Sequence, residues 1–276
     1  MFDSDGNTIF SPTQVASLRI VFASVIIFPL SIKLFKNIKS KKTWLILLLS
    51  GLCGNFIPAF LFTFAEQEVD SGYAGMLNSF TPIFTLTIGF FAFKRNVNRT
   101  ELIGVIIGAI GAIILGMQSS MSNMDGKTIY IAAIVFATAL YGLNINLIKK
   151  HLSHLPAQQI SASVFLTLLL PSLFTATSTG TFHTLTTHPK AWPAIGFISI
   201  LGIVGTACTT LLYNRVIATT SPVYASTVTL LIPIVAMIIG FCTGETITGT
   251  QLLGLGITLL GIIFITVISS IQARTK

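Results

Sequence analysis

The sequence predicts an all-α integral membrane protein with nine transmembrane helices arranged as two inverted-topology repeats. Its composition, its apolar spans and an internal repeat each support this fold class. Of the 276 residues, 53% are hydrophobic and 9% are charged, and the mean hydropathy is +0.86. A soluble domain carries about 25% charged residues. Because so few charges cannot cover a surface that faces water, most of this surface is expected to face lipid.

Nine apolar stretches can cross a bilayer. A spanning helix needs about 20 mainly apolar residues, because it rises about 1.5 Å per residue through a hydrocarbon core about 30 Å thick. Windows of that length select nine candidate spans, of which the fourth is short. The spans cover residues 12–32, 44–64, 72–93, 102–117, 128–148, 157–177, 191–213, 222–242 and 252–271.

The apolar stretch 71–93 returns later in the chain. Tyr73 matches Tyr224 and Pro82 matches Pro233, both at a shift of 151 residues. The register holds upstream as well, over more than fifty residues in all. Chance matching of apolar segments does not keep one register for so long, so we interpret the pattern as an internal repeat.

The repeat also sets the relation between the two halves. Spans one to four correspond to spans six to nine, a displacement of five helices, and an odd displacement reverses the orientation of the copy. We therefore expect a first half at residues 1–119, with four helices, and a second half at residues 120–276, with five. Inverted repeats are typical of secondary transporters, which bind substrate near the membrane midplane between the copies.

The basic residues lie mainly in loops on one side of the predicted membrane. Thirteen of the 16 Lys and Arg residues fall on that side, and two, Lys127 and Lys190, fall on the other. Loops rich in Lys and Arg stay in the cytoplasm. The sequence therefore predicts a multi-pass protein of the cell (plasma or inner) membrane, with its N-terminus outside and its C-terminus in the cytoplasm.

The fifth span has no partner in the first half. Pro12 resembles Pro156 at a shift of 144 residues, and this shift places the partner of residues 128–148 almost wholly upstream of Met1. We therefore expect that the first half lacks one helix and that Met1 is an internal methionine of a longer reading frame. The alternative is a natural nine-helix protein.

Short patterns along the whole chain resemble one protein family. They are Pro12 with Arg19, Tyr73-Ala74-Gly75 through Pro82, its repeat Tyr224-Ala225-Ser226 through Pro233, and Gly244-Glu245 followed by Gly254. These patterns resemble the EamA-type permeases of the drug/metabolite transporter superfamily, which have ten helices in two inverted five-helix halves. The resemblance implies that this chain has the ten-helix fold of the family but lacks its first helix. The chain departs from the pattern at Arg95, which stands where the second half has Glu245.

Polar residues near the two repeated prolines are candidates for a substrate cavity. Pro82 and Pro233 lack the N–H group that would bond to the carbonyl groups of Asn78 and Thr229, and in lipid a freed carbonyl needs another partner. Arg19 lies inside the first span, where a charge is a functional candidate by default. The candidate substrate-binding residues are Arg19, Asn55, Asn78, Ser79, Pro82, Thr206, Thr209, Ser226, Thr229 and Pro233.

Each of these candidates has a structural alternative. Ser, Thr and Asn often hold membrane helices together without binding a substrate. The long side chain of Arg19 could instead extend to the membrane surface. The glycines of the fourth and ninth spans are interpreted as sites of close helix packing: Gly104, Gly108, Gly111, Gly254 and Gly261.

Two tyrosines are candidate gates. Tyr73 lies at the outer end of its predicted helix, and its repeat partner Tyr224 lies at the inner end of a helix that runs the other way. An aromatic ring with one hydroxyl suits a plug that opens and reseals. The alternative is that both belong to the aromatic belts at the membrane surface.

Several motifs that define enzymes and cofactor-binding proteins are absent from the sequence. The sequence has no P-loop, GxSxG or HExxH motif, so no catalytic residue is assigned and an enzyme is not expected. The three cysteines lie in apolar segments without a CxxC pair, so no metal or other cofactor is expected. No predicted span carries Asp or Glu near its centre, so proton coupling through a buried carboxylate lacks a candidate.

The leading hypothesis is a secondary transporter, a permease or exporter, that moves small organic metabolites by alternating access. The alternative is a membrane scaffold or sensor without transport activity. The expected partners are the lipid bilayer and a small-molecule substrate, and a homodimer is left open. Nucleic acid is not expected, because the basic residues form no patch with interleaved aromatics.

Overall fold

The regular elements are helices wherever the chain is described. The structure, a computed structural model, describes residues 9–34, 38, 40–116, 127–242 and 248–265. Helices are the expected solution for an apolar chain in lipid, because each backbone N–H and C=O group must be satisfied within the segment. The predicted all-α membrane class is confirmed over these residues.

Seven helical stretches are long and apolar enough to cross a membrane. They are Pro12–Pro29, Lys41–Ala65, Ser71–Phe91, Thr128–Leu152, Ala157–Ser178, Ala191–Thr219 and Pro222–Ile239. The 18-residue helix Arg99–Gly116 and the shorter apolar helix Gly249–Ile263 lie at the positions of the fourth and ninth predicted spans. The count of nine spans and the inverted relation of the halves stay predictions.

Phosphatase fusions test the predicted orientation of these spans. A fusion after Glu68 should be active, because this loop is expected outside the cell, where alkaline phosphatase folds. A fusion after Lys150 should be silent, because this basic loop is expected in the cytoplasm. The measurement is phosphatase activity in intact cells at matched expression, and the opposite pattern would refute the orientation.

The helices group into two compact units. Unit 1 comprises Met1–Phe64 and Leu147–Thr219, and unit 2 comprises Ala65–Asn146 and Thr220–Lys276. Each unit therefore joins segments from distant parts of the chain. The units group helices by their packing, whereas the halves 1–119 and 120–276 are a prediction about the internal repeat, which the packing does not test.

Unit 1 is built around the first helix. Its helices are α1 (Pro12–Leu34), α2 (Lys41–Gly51), α3 (Ile57–Ala65, whose last residue belongs to unit 2), α8 (Ala157–Ser178), α9 (Thr181–Thr187), α10 (Ala191–Gly202) and α11 (Thr209–Thr219). Three π-helical segments, Leu52–Phe56, Ile148–Leu152 and Ile203–Cys208, interrupt or extend them. Helix α1 packs against α8 and α10, and the Ser24 hydroxyl donates to the Phe165 carbonyl oxygen at 3.0 Å.

Unit 2 contains the two proline helices. Its helices are α4 (Ser71–Asn78), α5 (Thr81–Phe91), α6 (Arg99–Gly116), α7 (Thr128–Leu147, whose last residue belongs to unit 1), α12 (Pro222–Ser226), α13 (Ile232–Cys242) and α14 (Gly249–Ile263). A 3-10 segment, Thr227–Leu231, joins α12 to α13. The first part of each proline helix contacts the second part of the other: α4 contacts α13, and α12 contacts α5.

Glycines let α6 and α14 approach closely. A Cβ atom placed on Gly261 would lie 2.5 Å from the Cα atom of Gly108, and one placed on Gly111 would lie 2.8 Å from the Gly254 carbonyl oxygen. Neither distance leaves room for a methyl group. The interpretation of these glycines as packing sites is confirmed.

Candidate substrate site

The predicted site residues divide between the two units. Unit 1 holds Arg19, Asn55, Thr206 and Thr209, and unit 2 holds Asn78, Ser79, Pro82, Ser226, Thr229, Pro233, Tyr73 and Tyr224. A single cavity lined by both groups stays a prediction.

In unit 1 the embedded arginine faces a π-helical segment. The Arg19 Nη2 atom donates to the Thr206 hydroxyl oxygen at 3.4 Å, and the Thr206 hydroxyl donates to the Leu201 carbonyl oxygen at 3.2 Å. That carbonyl lies five residues back, which is the spacing of the π-helix. Single π turns inside α-helices occur frequently at functional sites.

The Arg19 guanidinium has unused hydrogen-bonding capacity. Its bond to Thr206 is long, and its Nε atom is buried without a hydrogen-bond partner among the described residues. The described residues of unit 1, which lie within 9–64 and 147–219, contain no Asp or Glu. Arginine stays charged in proteins. This part of unit 1 therefore supplies no carboxylate to neutralise Arg19.

Another π-helical segment of this unit, Leu52–Phe56, contains Asn55. The Thr210 hydroxyl donates to the Asn55 Oδ1 atom at 3.1 Å. The segments Leu52–Phe56 and Ile203–Cys208 begin 151 residues apart, which is the shift of the sequence repeat, and helix α1 packs against both. Thr209 instead donates to the carbonyl oxygen of Gly205 at 2.7 Å, on its own helix. Sequence reasoning selected Thr209 and not Thr210, because the two threonines are adjacent and no sequence feature indicates which of them faces Asn55.

In unit 2 the chain breaks its helix before Pro82. Helix α4 ends at Asn78 and α5 begins at Thr81. The Asn78 carbonyl, which Pro82 leaves without its usual donor, accepts a hydrogen bond of 2.7 Å from the Thr81 hydroxyl. The freed carbonyl is thus satisfied within the chain, by a threonine that sequence reasoning did not select. Asn78, Ser79 and Pro82 are all buried.

Pro233 also leaves a carbonyl without its usual donor, that of Thr229, and here a backbone N–H group satisfies it. The 3-10 segment before it tightens the helix, and the Ile232 N–H group donates to the Thr229 carbonyl oxygen. The hydroxyls of Ser226 and Thr229 donate to the carbonyl oxygens of Val223 and Ser226, at 2.7 and 2.8 Å. Since these hydroxyl protons are already used, the two side chains can offer a ligand only acceptor oxygens.

Asn146 is a buried polar contact that the sequence analysis did not select. Its Nδ2 atom donates to the Thr85 and Gly142 carbonyl oxygens at 2.9 and 2.8 Å. A Cβ atom on Gly89 would lie 2.9 Å from the Asn146 Oδ1 atom, so a glycine there lets the amide approach α5. The available signal was the pair of asparagines, Asn144 and Asn146, in an otherwise apolar span.

An ion pair between a buried glutamate and a partly buried arginine lies at the start of α6. The Arg95 Nη2 atom contacts the Glu101 Oε1 atom at 2.6 Å, and the Ser221 hydroxyl donates to the same oxygen at 3.4 Å. The Glu101 side chain is 5% exposed. Its Oε2 atom and the Arg95 Nη1 atom are buried without hydrogen-bond partners in the described part of the chain. Arg95, which departs from the repeat pattern, thus pairs with an acid that sequence reasoning passed over. Glu245 lies outside the described residues.

The gate candidates are partly buried. Tyr73 lies in the first turn of α4 and Tyr224 in the short helix α12. The Tyr224 N–H group donates to the Ser221 hydroxyl oxygen at 3.2 Å, which caps that helix. The gate role and the aromatic-belt alternative both stay predictions.

Long apolar helices that bury polar side chains define a multi-pass membrane protein, and comparison with known proteins specifies its class as a transporter. The chain belongs to the EamA-like transporter family, whose model matches residues 6–117 and 128–267. The family resemblance noted in the sequence is therefore confirmed.

Individual relatives are distant but extend over most of the chain. An uncharacterized transporter of Archaeoglobus fulgidus is 26% identical over 255 residues, which cover 91% of this chain and 87% of that protein. The uncharacterized transporter YetK of Bacillus subtilis is 26% identical over 172 residues, 59% of this chain and about half (52%) of YetK. A crystal structure with 12% identity matches with a TM-score of 0.68, covers 93% of this chain and 88% of that one, and shows the fold alone.

Proposed function

We propose that this protein is a secondary transporter that moves small organic metabolites across the membrane by alternating access. Family membership supplies the transporter class. The observation that carries the finer proposal is Arg19, an embedded cation with unused donors in a unit whose described residues contain no acid. The proposal is that this cation contacts an anionic group of the transported compound.

The depth of Arg19 supports this role. It lies seven residues after Pro12, which corresponds to about 10 Å along the helix. A charge at such depth is costly and usually lines a pathway or a water-filled cavity. The guanidinium fork binds a carboxylate or a phosphate through two parallel hydrogen bonds. An anionic group on the cargo would therefore neutralise the charge and use the free donors.

The division into two units supports the alternating-access part of the proposal. Alternating access requires two bodies that move largely as rigid units around a fixed site. Units 1 and 2 are each compact and each contain long apolar helices. The gate role proposed for Tyr73 and Tyr224 belongs to the same mechanism and depends on it.

Transport assays with a matched variant test the proposal. The protein, reconstituted in liposomes, is given a mixture of metabolites, and mass spectrometry identifies the compounds that cross. Arg19→Gln is expected to lower the uptake of an anionic compound at least about tenfold, because it removes a charge-assisted contact worth about 1.5–3 kcal/mol. Arg99→Gln, which removes an exposed arginine, should leave uptake unchanged.

The outcomes separate the parts of the proposal. Equal transport by wild type and Arg19→Gln would refute the role of Arg19 while leaving the transporter class intact. A failure of the folded protein to move any compound would favour the scaffold or sensor alternative. Size-exclusion profiles in detergent confirm that each variant is folded before it is assayed.

A further inference from the structure

A groove separates the beginning of α8 from the end of α11 in unit 1. Its volume is ≈ 500 Å³. The residues that line it are Ala157, Gln158, Leu211, Leu212, Arg215 and Ala218. The groove thus joins an apolar wall to a single cationic side chain.

The wall changes from apolar to charged within one helical turn. Leu212 is 65% exposed, and Arg215 follows it three residues later on the same face of α11. Helix α11 ends at Thr219, four residues beyond Arg215, or about 6 Å along the axis. In a spanning helix this position corresponds to the boundary between acyl chains and headgroups.

The surroundings of the groove are positive. The Lys149 ammonium donates to the carbonyl oxygens of Ile217 and Ala218 at 3.2 Å, which places a second cation beside the lining residue Ala218. The exposed Arg215 guanidinium forms no hydrogen bond or ion pair with the described residues. Unit 1 carries ten of the 16 basic residues and two of the eight acidic ones, a net charge of +8, whereas unit 2 carries six of each.

We propose that this groove binds an anionic phospholipid, with its headgroup phosphate at Arg215 and an acyl chain along Leu211 and Leu212. Charge complementarity favours an anionic headgroup, because two cations flank the groove and no acid occurs in residues 9–64 or 147–219. The exposed leucine wall favours a lipid over a soluble phosphate, since only a lipid covers it. Basic pockets between membrane helices bind anionic headgroups by the same chemistry.

Lipid titration of the purified full-length chain tests this proposal, independently of any transport activity. Delipidated protein in detergent is titrated with phosphatidylglycerol or with phosphatidylcholine of the same acyl chains, and native mass spectrometry counts the bound lipid. Wild type is expected to bind phosphatidylglycerol more tightly than phosphatidylcholine. Arg215→Gln should weaken phosphatidylglycerol binding about fivefold, the effect of one basic residue near a membrane surface.

Two further variants distinguish lipid binding in the groove from general attraction of an anionic lipid to surface cations. Lys42→Gln removes another exposed cation of unit 1 and should bind phosphatidylglycerol like wild type. Ala218→Trp keeps every charge but fills the groove, so it should weaken binding even if Arg215→Gln does not fold. Equal loss in Arg215→Gln and Lys42→Gln, unchanged binding in Ala218→Trp, or equal affinity of wild type for the two lipids would overturn the proposal.

Discussion

Gly261→Ala is expected to destabilise the protein strongly, whereas Gly256→Ala on the same helix is expected to be neutral or slightly stabilising. A Cβ atom on Gly261 would lie 2.5 Å from the Gly108 Cα atom and 2.9 Å from the Gly104 carbonyl oxygen. These are backbone atoms, which cannot rotate away as a flexible side chain can. The new methyl group must therefore push α6 and α14 apart along much of their contact.

The expected size of this effect is large relative to the stability of the fold. Overpacking a well-packed core costs about 1–3 kcal/mol and occasionally more, and a contact between backbones belongs to the upper end of that range. Native proteins are stable by only about 5–15 kcal/mol. A Cβ atom on Gly256 meets nothing within 4 Å, so alanine there keeps the packing and gains about 1 kcal/mol of helix propensity at most.

Thermal unfolding in detergent, followed by size-exclusion chromatography with fluorescence detection, measures both variants. Gly261→Ala should lower the unfolding temperature by many degrees or yield only aggregate. Gly256→Ala should match or exceed wild type. Equal behaviour of the two variants would contradict the close contact between α6 and α14.

Glu101→Gln is expected to destabilise the protein by about 3 kcal/mol, because it leaves the Arg95 charge without its carboxylate. Breaking a buried ion pair by removing one partner costs about 3–5 kcal/mol. The lower end applies here, because the Arg95 side chain retains 23% exposure and can regain some water. The Arg95 Nη1 atom already lacks a partner among the described residues, so the remaining guanidinium has little compensation.

A double replacement distinguishes the loss of the pair from general damage. Changing both Arg95 and Glu101 to methionine removes both charges together, and we expect this variant to regain most of the stability lost in Glu101→Gln. Glu68→Gln, which removes an exposed acid of the same unit, should have little effect. The measurement is the unfolding temperature of each variant. A double variant less stable than Glu101→Gln would mean that the ion pair itself stabilises the fold.

The sequence by itself determined the membrane class, the approximate positions of the apolar helices and the close-packing role of the glycines. These properties follow from local composition, because lipid requires long apolar segments and a helix must satisfy its own backbone. The repeated prolines and the embedded Arg19 were visible for the same reason: each is an exception to an apolar helical pattern. The family resemblance added the transporter class, which the comparison with known proteins confirmed.

Only the tertiary structure decided which side chains meet. The bond between Asn146 and Thr85 joins residues 61 positions apart, and spacing along the chain does not predict such a contact. Arg95 reaches Glu101 through a loop in which Lys94 adopts φ 53°, a backbone conformation unusual for a residue with a side chain. The freed Asn78 carbonyl is satisfied by the Thr81 hydroxyl, a side-chain contact. The bond to the Thr229 carbonyl and the π segments that present Asn55 and Thr206 depend instead on shifts of backbone hydrogen-bond register by one residue. Such shifts change the local energy little, so the packing of neighbouring helices decides them, and residue composition does not.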